Sequence, residues 1–324
     1  MARWGGEPFQ GELTRWIDEA LAPRGEVRAG PLLPEKIRFW SAVFRIPLAG
    51  PGPSRQAWCK VGNPGQAFEG ELLAALGHLE PDRVVVPWAV SADRGWWLLP
   101  DGGPTLDPDR PADWVDLLGD VADLQRASAS HPPVLTLLTT LGPEDAPRWV
   151  VEVVDELAAL PPQHPQHLEP ALAHTCLRRL PRLEEQMAVL AQSRLPPTLQ
   201  PNDVHPRNAV HPATPGGPVR LLDLGDALLG HAWAVLSTPV RFAAGVRLAD
   251  PWPEGSTTAR LVEAYAERWP EVDRTDRAAV VAAADRLGTL HRAASWRRLL
   301  APVDPDRLGV PTPRIATWVL AALA

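Results

Sequence analysis

The segment Pro100-Asp101-Gly102-Gly103-Pro104 divides the chain into two parts with different periodicities. Before it, apolar residues alternate or cluster in short runs, as strands do; after it they recur every three to four positions over long stretches, as helices do. A fold that respects this division is α+β and bilobal. It has a small strand-rich N-terminal lobe at residues 1–100, a hinge at 101–105, and a larger, mainly helical C-terminal lobe at 106–324. At 324 residues the chain is long enough for two such cores.

Within the first part, residues 36–46 and 57–61 read as a strand pair, joined through the turn that holds Gly50, Pro51, Gly52 and Pro53. Leu72, Leu73, Leu76 and Leu79 share one face of a helix over 67–79, the one helix expected in this lobe. Residues 84–86 and 96–99 read as two further strands. In the second part, helices are expected over 114–127, 148–160, 170–192, 257–269, 276–300 and 313–324. A short strand-rich insert interrupts them around 199–224.

Composition narrows the function classes. No apolar run reaches the roughly 18 residues of a membrane span, and the N-terminus lacks a signal-peptide core. Two cysteines, Cys59 and Cys176, argue for a reducing compartment and a cytoplasmic protein. A net charge of −7 disfavours nucleic-acid binding and is compatible with a cationic substrate. Nothing in the sequence reads on oligomeric state. The composition also makes certain residues conspicuous: the chain has three Asn (Asn63, Asn202, Asn208), and only Lys36 and Lys60 among its 32 Lys and Arg positions are lysines.

Two of those Asn lie in Leu199-Gln200-Pro201-Asn202-Asp203-Val204-His205-Pro206-Arg207-Asn208, which is followed by Leu221-Leu222-Asp223-Leu224-Gly225-Asp226. An Asp, an Asn five positions later and an Asp closing the next apolar run can serve phosphoryl transfer. That reaction needs a carboxylate at the attacking hydroxyl and oxygen ligands for Mg²⁺. Asp203 fits the first role, and Asn208 and Asp223 the second. Lys60 ends a strand-like run and the next helix opens with Glu69; a strand Lys paired with a helix Glu positions nucleotide phosphates. Glu71 competes with Glu69 for that pairing, about 200° around the helix.

The ordered set Lys60, Glu69, Asp203, Asn208 and Asp223 resembles that of the aminoglycoside phosphotransferase and choline kinase-like family, small-molecule kinases with the bilobal protein-kinase-like fold. The resemblance is densest over 199–229. It extends to Arg94-Gly95-Trp96-Trp97-Leu98-Leu99 with Asp101-Gly102-Gly103, and loosely to Leu261-Val262-Glu263-Ala264-Tyr265 and Leu290-His291-Arg292-Ala293. It implies an ATP- and Mg-dependent phosphotransferase acting on a hydroxyl of an amino sugar, aminoglycoside, choline-like amine or sugar. Asp203 would be the catalytic base, Asn208 and Asp223 the metal ligands, and Lys60 with Glu69 the ATP-phosphate pair. Where the family usually carries His-Gly-Asp, this chain has Pro201-Asn202-Asp203. Asn tolerates the positive φ of a glycine position, whereas Pro removes both an imidazole and a backbone N–H. The alternative is a family member that binds nucleotide or ligand without phosphoryl transfer.

Other candidates are weaker. His164, His167, His174 and Cys176 match no tetrahedral zinc spacing. His205 reads as a residue that packs the loop. Asp226 reads equally as a metal or substrate contact and as a helix cap. No G-x-S-x-G elbow is present.

Overall fold

A computed structural model of the protein describes residues 2–49, 55–304 and 313–324. The chain divides into two compact units. The first gathers Met1–Pro104, Val210–Gly225 and Arg298–Val303; the second gathers Thr105–Ala209, Asp226–Arg297 and Asp304–Ala324.

The first unit is built on a five-stranded antiparallel sheet. Its strands are β1 (Leu33–Ile37), β2 (Ser41–Pro47), β3 (Gln56–Gly62), β4 (Ala89–Ser91) and β5 (Trp96–Pro100), in the order β1-β2-β3-β5-β4. Side chains alternate across the sheet. Ala42, Phe44 and Ile46 on β2, Ala57, Cys59 and Val61 on β3, and Trp96 and Leu98 on β5 share one buried face. That face is covered by the helix Glu7–Leu21 through Leu13, Ile17 and Leu21, one stripe at fourfold spacing. Each such side chain contributes roughly 1.5–3 kcal/mol on burial. The opposite face carries Lys60, which pairs in register with Val43 on β2 and Trp97 on β5.

Several elements differ from the sequence expectation. The N-terminal part holds more helix than the one expected, chiefly Glu7–Leu21: its stripe buries three of fifteen residues, too thin an apolar signal to stand out among polar neighbours. Residues 36–46 are two strands, with Arg38 N–H donating to the Ser41 carbonyl at 2.8 Å to close the turn between them. Aromatic and apolar residues, Phe39 and Trp40 among them, continue through that turn with no Gly, Pro, Asn or Asp to mark it. Residues 84–86 form no strand of the sheet, because Pro87 has no N–H to continue a ladder; Val84 instead makes a single parallel bridge to Leu221. The helix expected over 170–192 is two, Pro170–Arg178 and Leu180–Gln192, parted just before Pro181. The turn at Gly50, Pro51, Gly52 and Pro53 lies outside the described residues.

The second unit is mainly helical. Helices Pro111–Ser128, Ala146–Ala159, Ser237–Ala244, Thr257–Ala266 and Ile315–Leu323 belong to it, with most of Arg277–Leu300. Two short strands, Thr198–Gln200 and Leu228–Gly230, pair antiparallel with Leu199 opposite Leu229. Among the described residues, no helix is long and apolar enough to cross a membrane.

Candidate active site

The sequence-derived residues gather in two groups, one in each unit. In the first unit Lys60 Nζ lies 2.9 Å and 2.7 Å from the two carboxylate oxygens of Glu69, and 2.8 Å from Asp223 Oδ1. Glu69 is wholly buried, whereas Glu71 is exposed, so the pairing left open in the sequence falls to Glu69. The sheet explains the approach: Lys60 and its cross-strand neighbour Trp97 share a face, and the ammonium stands 5.4 Å from the centre of the Trp97 ring. Asp223 is placed from behind by Leu221, whose N–H donates to the Arg83 carbonyl at 2.9 Å and whose carbonyl accepts from Val85 N–H at 3.0 Å.

The turn after Asp223 closes on the same carboxylates. Gly225 N–H donates to Asp223 Oδ1 at 3.2 Å, and Leu224 N–H donates to Glu69 Oε1 at 3.3 Å. Position 225 has no room for a side chain: a Cβ there would stand 2.4 Å from Gln66 Nε2 and 2.7 Å from Glu69 Oε2. Burial alone pulls the Lys60 ammonium toward its neutral form, but Asp223 and Glu69 outweigh it and hold its pKa above the ordinary value. Burial raises the Glu69 carboxyl, with Lys60 opposing and the Asp223 charge adding to the rise. Lys60 is therefore a fixed positive charge.

In the second unit Asp203 sits on a three-residue turn. Its N–H donates to the Pro201 carbonyl at 2.8 Å around Asn202, whose φ is +66°. Pro201 thus serves the turn with the one backbone group it has. Asn202 is pinned by its side chain, which donates to the Asp226 carbonyl at 2.9 Å. Ahead of the turn, Gln125 Nε2 donates to the Leu199 carbonyl at 2.9 Å, and the Tyr265 hydroxyl lies 2.6 Å from Gln125 Oε1.

Three groups attend the Asp203 carboxylate. Arg292 Nη1 is 3.3 Å from Oδ1, His205 Nε2 is 3.7 Å from Oδ2, and Asn208 Nδ2 donates to the Asp203 carbonyl at 2.9 Å and to Oδ2 at 3.4 Å. Burial pushes the Asp203 pKa up, but His205, Arg292 and Asn208 together bring it below its ordinary value. Asp203 is thus ionised at neutral pH and an acceptor for a hydroxyl proton. Asp226 caps no helix; its carboxylate accepts from Arg292 Nη1 at 2.7 Å and from Ser295 Oγ, which fixes the arginine beside Asp203. His205 packs its ring 5.2 Å from that of Phe242 while facing Asp203.

Asn208 and Asp223 each carry an oxygen donor of the kind Mg²⁺ takes, one in each unit. The amide nitrogen of Asn208 is committed to Asp203, which leaves its amide oxygen as the donor, and Asp223 has a carboxylate. Mg²⁺ takes few protein oxygens and completes its shell with water and phosphate. Among the described residues no three His, Cys, Asp or Glu side chains gather as metal ligands. His167 Nδ1 instead pairs with the Leu160 carbonyl at 2.8 Å, and Cys176 is buried.

Sequence reasoning assigned no role to Arg292, Gln125 or Gln66. Arginine is this chain's default cation, so no compositional signal marked Arg292; its place in Leu290-His291-Arg292-Ala293 was the one available hint.

No protein-family model matches the chain, and no curated protein matches it in sequence. Solved structures do match. A choline/ethanolamine kinase family protein from Mesorhizobium loti has a TM-score of 0.59 at 14% identity, covering 96% of this chain and 92% of its own. A choline kinase from Streptococcus pneumoniae has 0.57 at 12%, covering 96% and 99%. A macrolide 2'-phosphotransferase type I has 0.56 at 14%, covering 95% of each. The chain has the protein-kinase-like fold shared by these small-molecule kinases.

Proposed function

We propose that the protein is an ATP- and Mg-dependent phosphotransferase acting on a hydroxyl of a small molecule. The observation that carries this reading is the Lys60 ammonium held between the Glu69 and Asp223 carboxylates at 2.7–2.9 Å. Three charges are brought together there at the expense of desolvation, an arrangement suited to gripping phosphate rather than to stability alone. Lys60, braced by Glu69, neutralises charge on the nucleotide phosphates. Asn208 and Asp223 hold the Mg²⁺, which supplies charge neutralisation on the transferring phosphoryl group.

Asp203 orients the acceptor hydroxyl and takes its proton. Its lowered pKa makes it a weak base, so it acts mainly by alignment, enough for a reaction in which positioning and electrostatics dominate. The acceptor class is that of the sequence expectation: amino sugars, aminoglycosides, choline-like amines and sugars. A second reading, binding without transfer, rests on Pro201 in place of the family's His.

ADP release in the presence of Mg·ATP, measured across a panel of those acceptors, separates the two. Stimulation by an acceptor that is abolished by Asp203→Ala supports transfer. Silence across the panel with nucleotide binding intact favours the second reading, and wild-type turnover by Asp203→Ala would sink the assignment of Asp203.

A further inference from the structure

The third Asn of the chain, Asn63, leads to a feature that the Asp203, Asn208 and Asp223 set does not include. Asn63 is buried in the loop between β3, which carries Lys60, and the helix Glu69–Leu79. Its Nδ2 donates to the Leu299 carbonyl at 2.9 Å, and its Oδ1 accepts from Gly65 N–H at 2.9 Å. The backbone on the far side is the end of the helix Arg277–Leu300, and it comes close: a Cβ on Gly65 would stand 2.3 Å from the Arg298 carbonyl oxygen. The loop is thus shaped to receive residues 298–299.

Arg298 reaches both flanks of the Lys60 cluster. Its guanidinium lies 4.6 Å from the centre of the Phe68 ring, the residue directly before Glu69. Its Nη2 donates to the Gly225 carbonyl at 2.9 Å, two residues after Asp223. The same Gly225 has its N–H on Asp223 Oδ1 and its Cα against Gln66 and Glu69. One side chain from a distant part of the sequence therefore fixes the start of the Glu69 helix and the turn after Asp223, the two elements whose carboxylates hold Lys60.

We propose that Arg298 is a positioning residue: through Phe68 and the Gly225 carbonyl it sets the separation of Glu69 and Asp223, and so keeps Lys60 in its phosphate-binding place. The functional consequence rests on the phosphotransferase reading, whereas the effect on Lys60 itself does not. A planar guanidinium can stack on a ring and donate a charge-assisted bond at once. Lysine keeps the donor and the charge, and methionine keeps only the apolar stem.

The two-lysine composition supplies a direct readout. Lys36 on β1 is exposed and Lys60 is buried and ion-paired, so an amine-acylating reagent at pH 8, followed by peptide mapping, reports on Lys60 with Lys36 as internal reference. Acylation of Lys60 requires the cluster to open. Loss of a charge-assisted bond in Arg298→Met is expected to accelerate Lys60 labelling about tenfold relative to Lys36, and Arg298→Lys is expected to restore most of the protection.

Arg297→Gln, which removes a surface bond to Glu156, is expected to leave the ratio at its wild-type value. If Arg298→Met fails to fold, Phe68→Leu tests the same contact with the same expectation. An unchanged Lys60 ratio in the folded variant, or an equal rise in Arg297→Gln, overturns the proposal. On an acceptor that supports ADP release, the variant should raise KM for Mg·ATP and leave KM for the acceptor unchanged. If no acceptor supports release, the phosphotransferase reading fails while the labelling ratio still decides the role of Arg298.

Discussion

Gly225 shows how much of the site is decided by single residues. It follows Asp223 by two positions and lies against Gln66 and Glu69 so closely that a methyl group would overlap both. Gly225→Ala must push Gln66 aside or swing the Asp223 turn away from Lys60, and overpacking of this kind costs about 1–3 kcal/mol. Urea unfolding should show that loss, and Mg·ATP binding should weaken beyond what stability explains; a variant with wild-type stability and affinity would refute the close fit. The residues that stand out in the sequence do so for local reasons. Lys60, Asn202 and Asn208 are rare types in this chain, and Asp223 follows an apolar pair two residues before a glycine. Arg292 and Arg298 are as consequential in the structure yet belong to the commonest cationic type. Their roles depend on contacts across 66 and 73 positions of sequence, which no local pattern carries.

At the scale of elements, two histidines tie the strand Leu228–Gly230 and its neighbours together in a pH-dependent way. His231 Nδ1 accepts from Trp233 N–H at 3.4 Å while its Nε2 faces Ser193 Oγ at 2.8 Å. Ser193 Oγ in turn donates to the Leu190 carbonyl, so the neutral ring with its proton on Nε2 completes the chain of bonds. His291 Nε2 donates to the Leu141 carbonyl at 2.8 Å, and its Nδ1 is buried without a partner among the described residues. A second proton would have nothing to bind. Burial lowers His231 to about 4, with the nearby His291 adding to the effect, and burial lowers His291 to about 4 as well.

Both folded values lie below the ordinary value, so the unfolded chain binds more protons as acid is added. Stability is fully present above about pH 6.5, the unfolded histidine value, and falls as pH drops from there toward 4. Between pH 7.5 and 5.5 the pair should lose about 1–3 kcal/mol, read as a lower urea midpoint. His231→Asn with His291→Gln keeps donors and acceptors without titration and should flatten that slope; a slope unchanged by both substitutions would assign the pH dependence elsewhere. Elements were legible where the apolar period was strong, as in the helix Glu69–Leu79. They were hidden where few residues face the core, as in Glu7–Leu21, and where a turn carries apolar residues and no turn former, as between β1 and β2.

At the scale of the molecule, the change of periodicity near residue 100 foretold a strand-rich part and a helical part. It did not foretell that the compact unit built on the sheet also takes in Val210–Gly225 and Arg298–Val303. Val210–Gly225 joins it through Leu221 on Arg83 and Val85, Asp223 on Lys60 and Leu224 on Glu69; Arg298–Val303 joins through Leu299 on Asn63, and Arg298 on Gly225 links the two segments to each other. They bring Asp223 to Lys60, so a nucleotide that engages this cluster binds the assembled unit and not the unfolded chain. Ligand at about 100 times its dissociation constant then adds about 2.7 kcal/mol of stability. For a protein of this size that corresponds to a rise in Tm of about 5 °C. Mg·ATP should produce it. Asp223→Asn keeps the shape of the side chain and removes the charge that its proposed role offers to Mg²⁺, so ATP should stabilise this variant equally with and without Mg²⁺. Asp203→Ala, which leaves Lys60, Glu69 and Asp223 untouched, should keep the full shift. Thermal unfolding of the three proteins with and without Mg²⁺ is the measurement, and a wild-type Tm indifferent to Mg·ATP at millimolar concentration would remove the nucleotide from the account of Lys60.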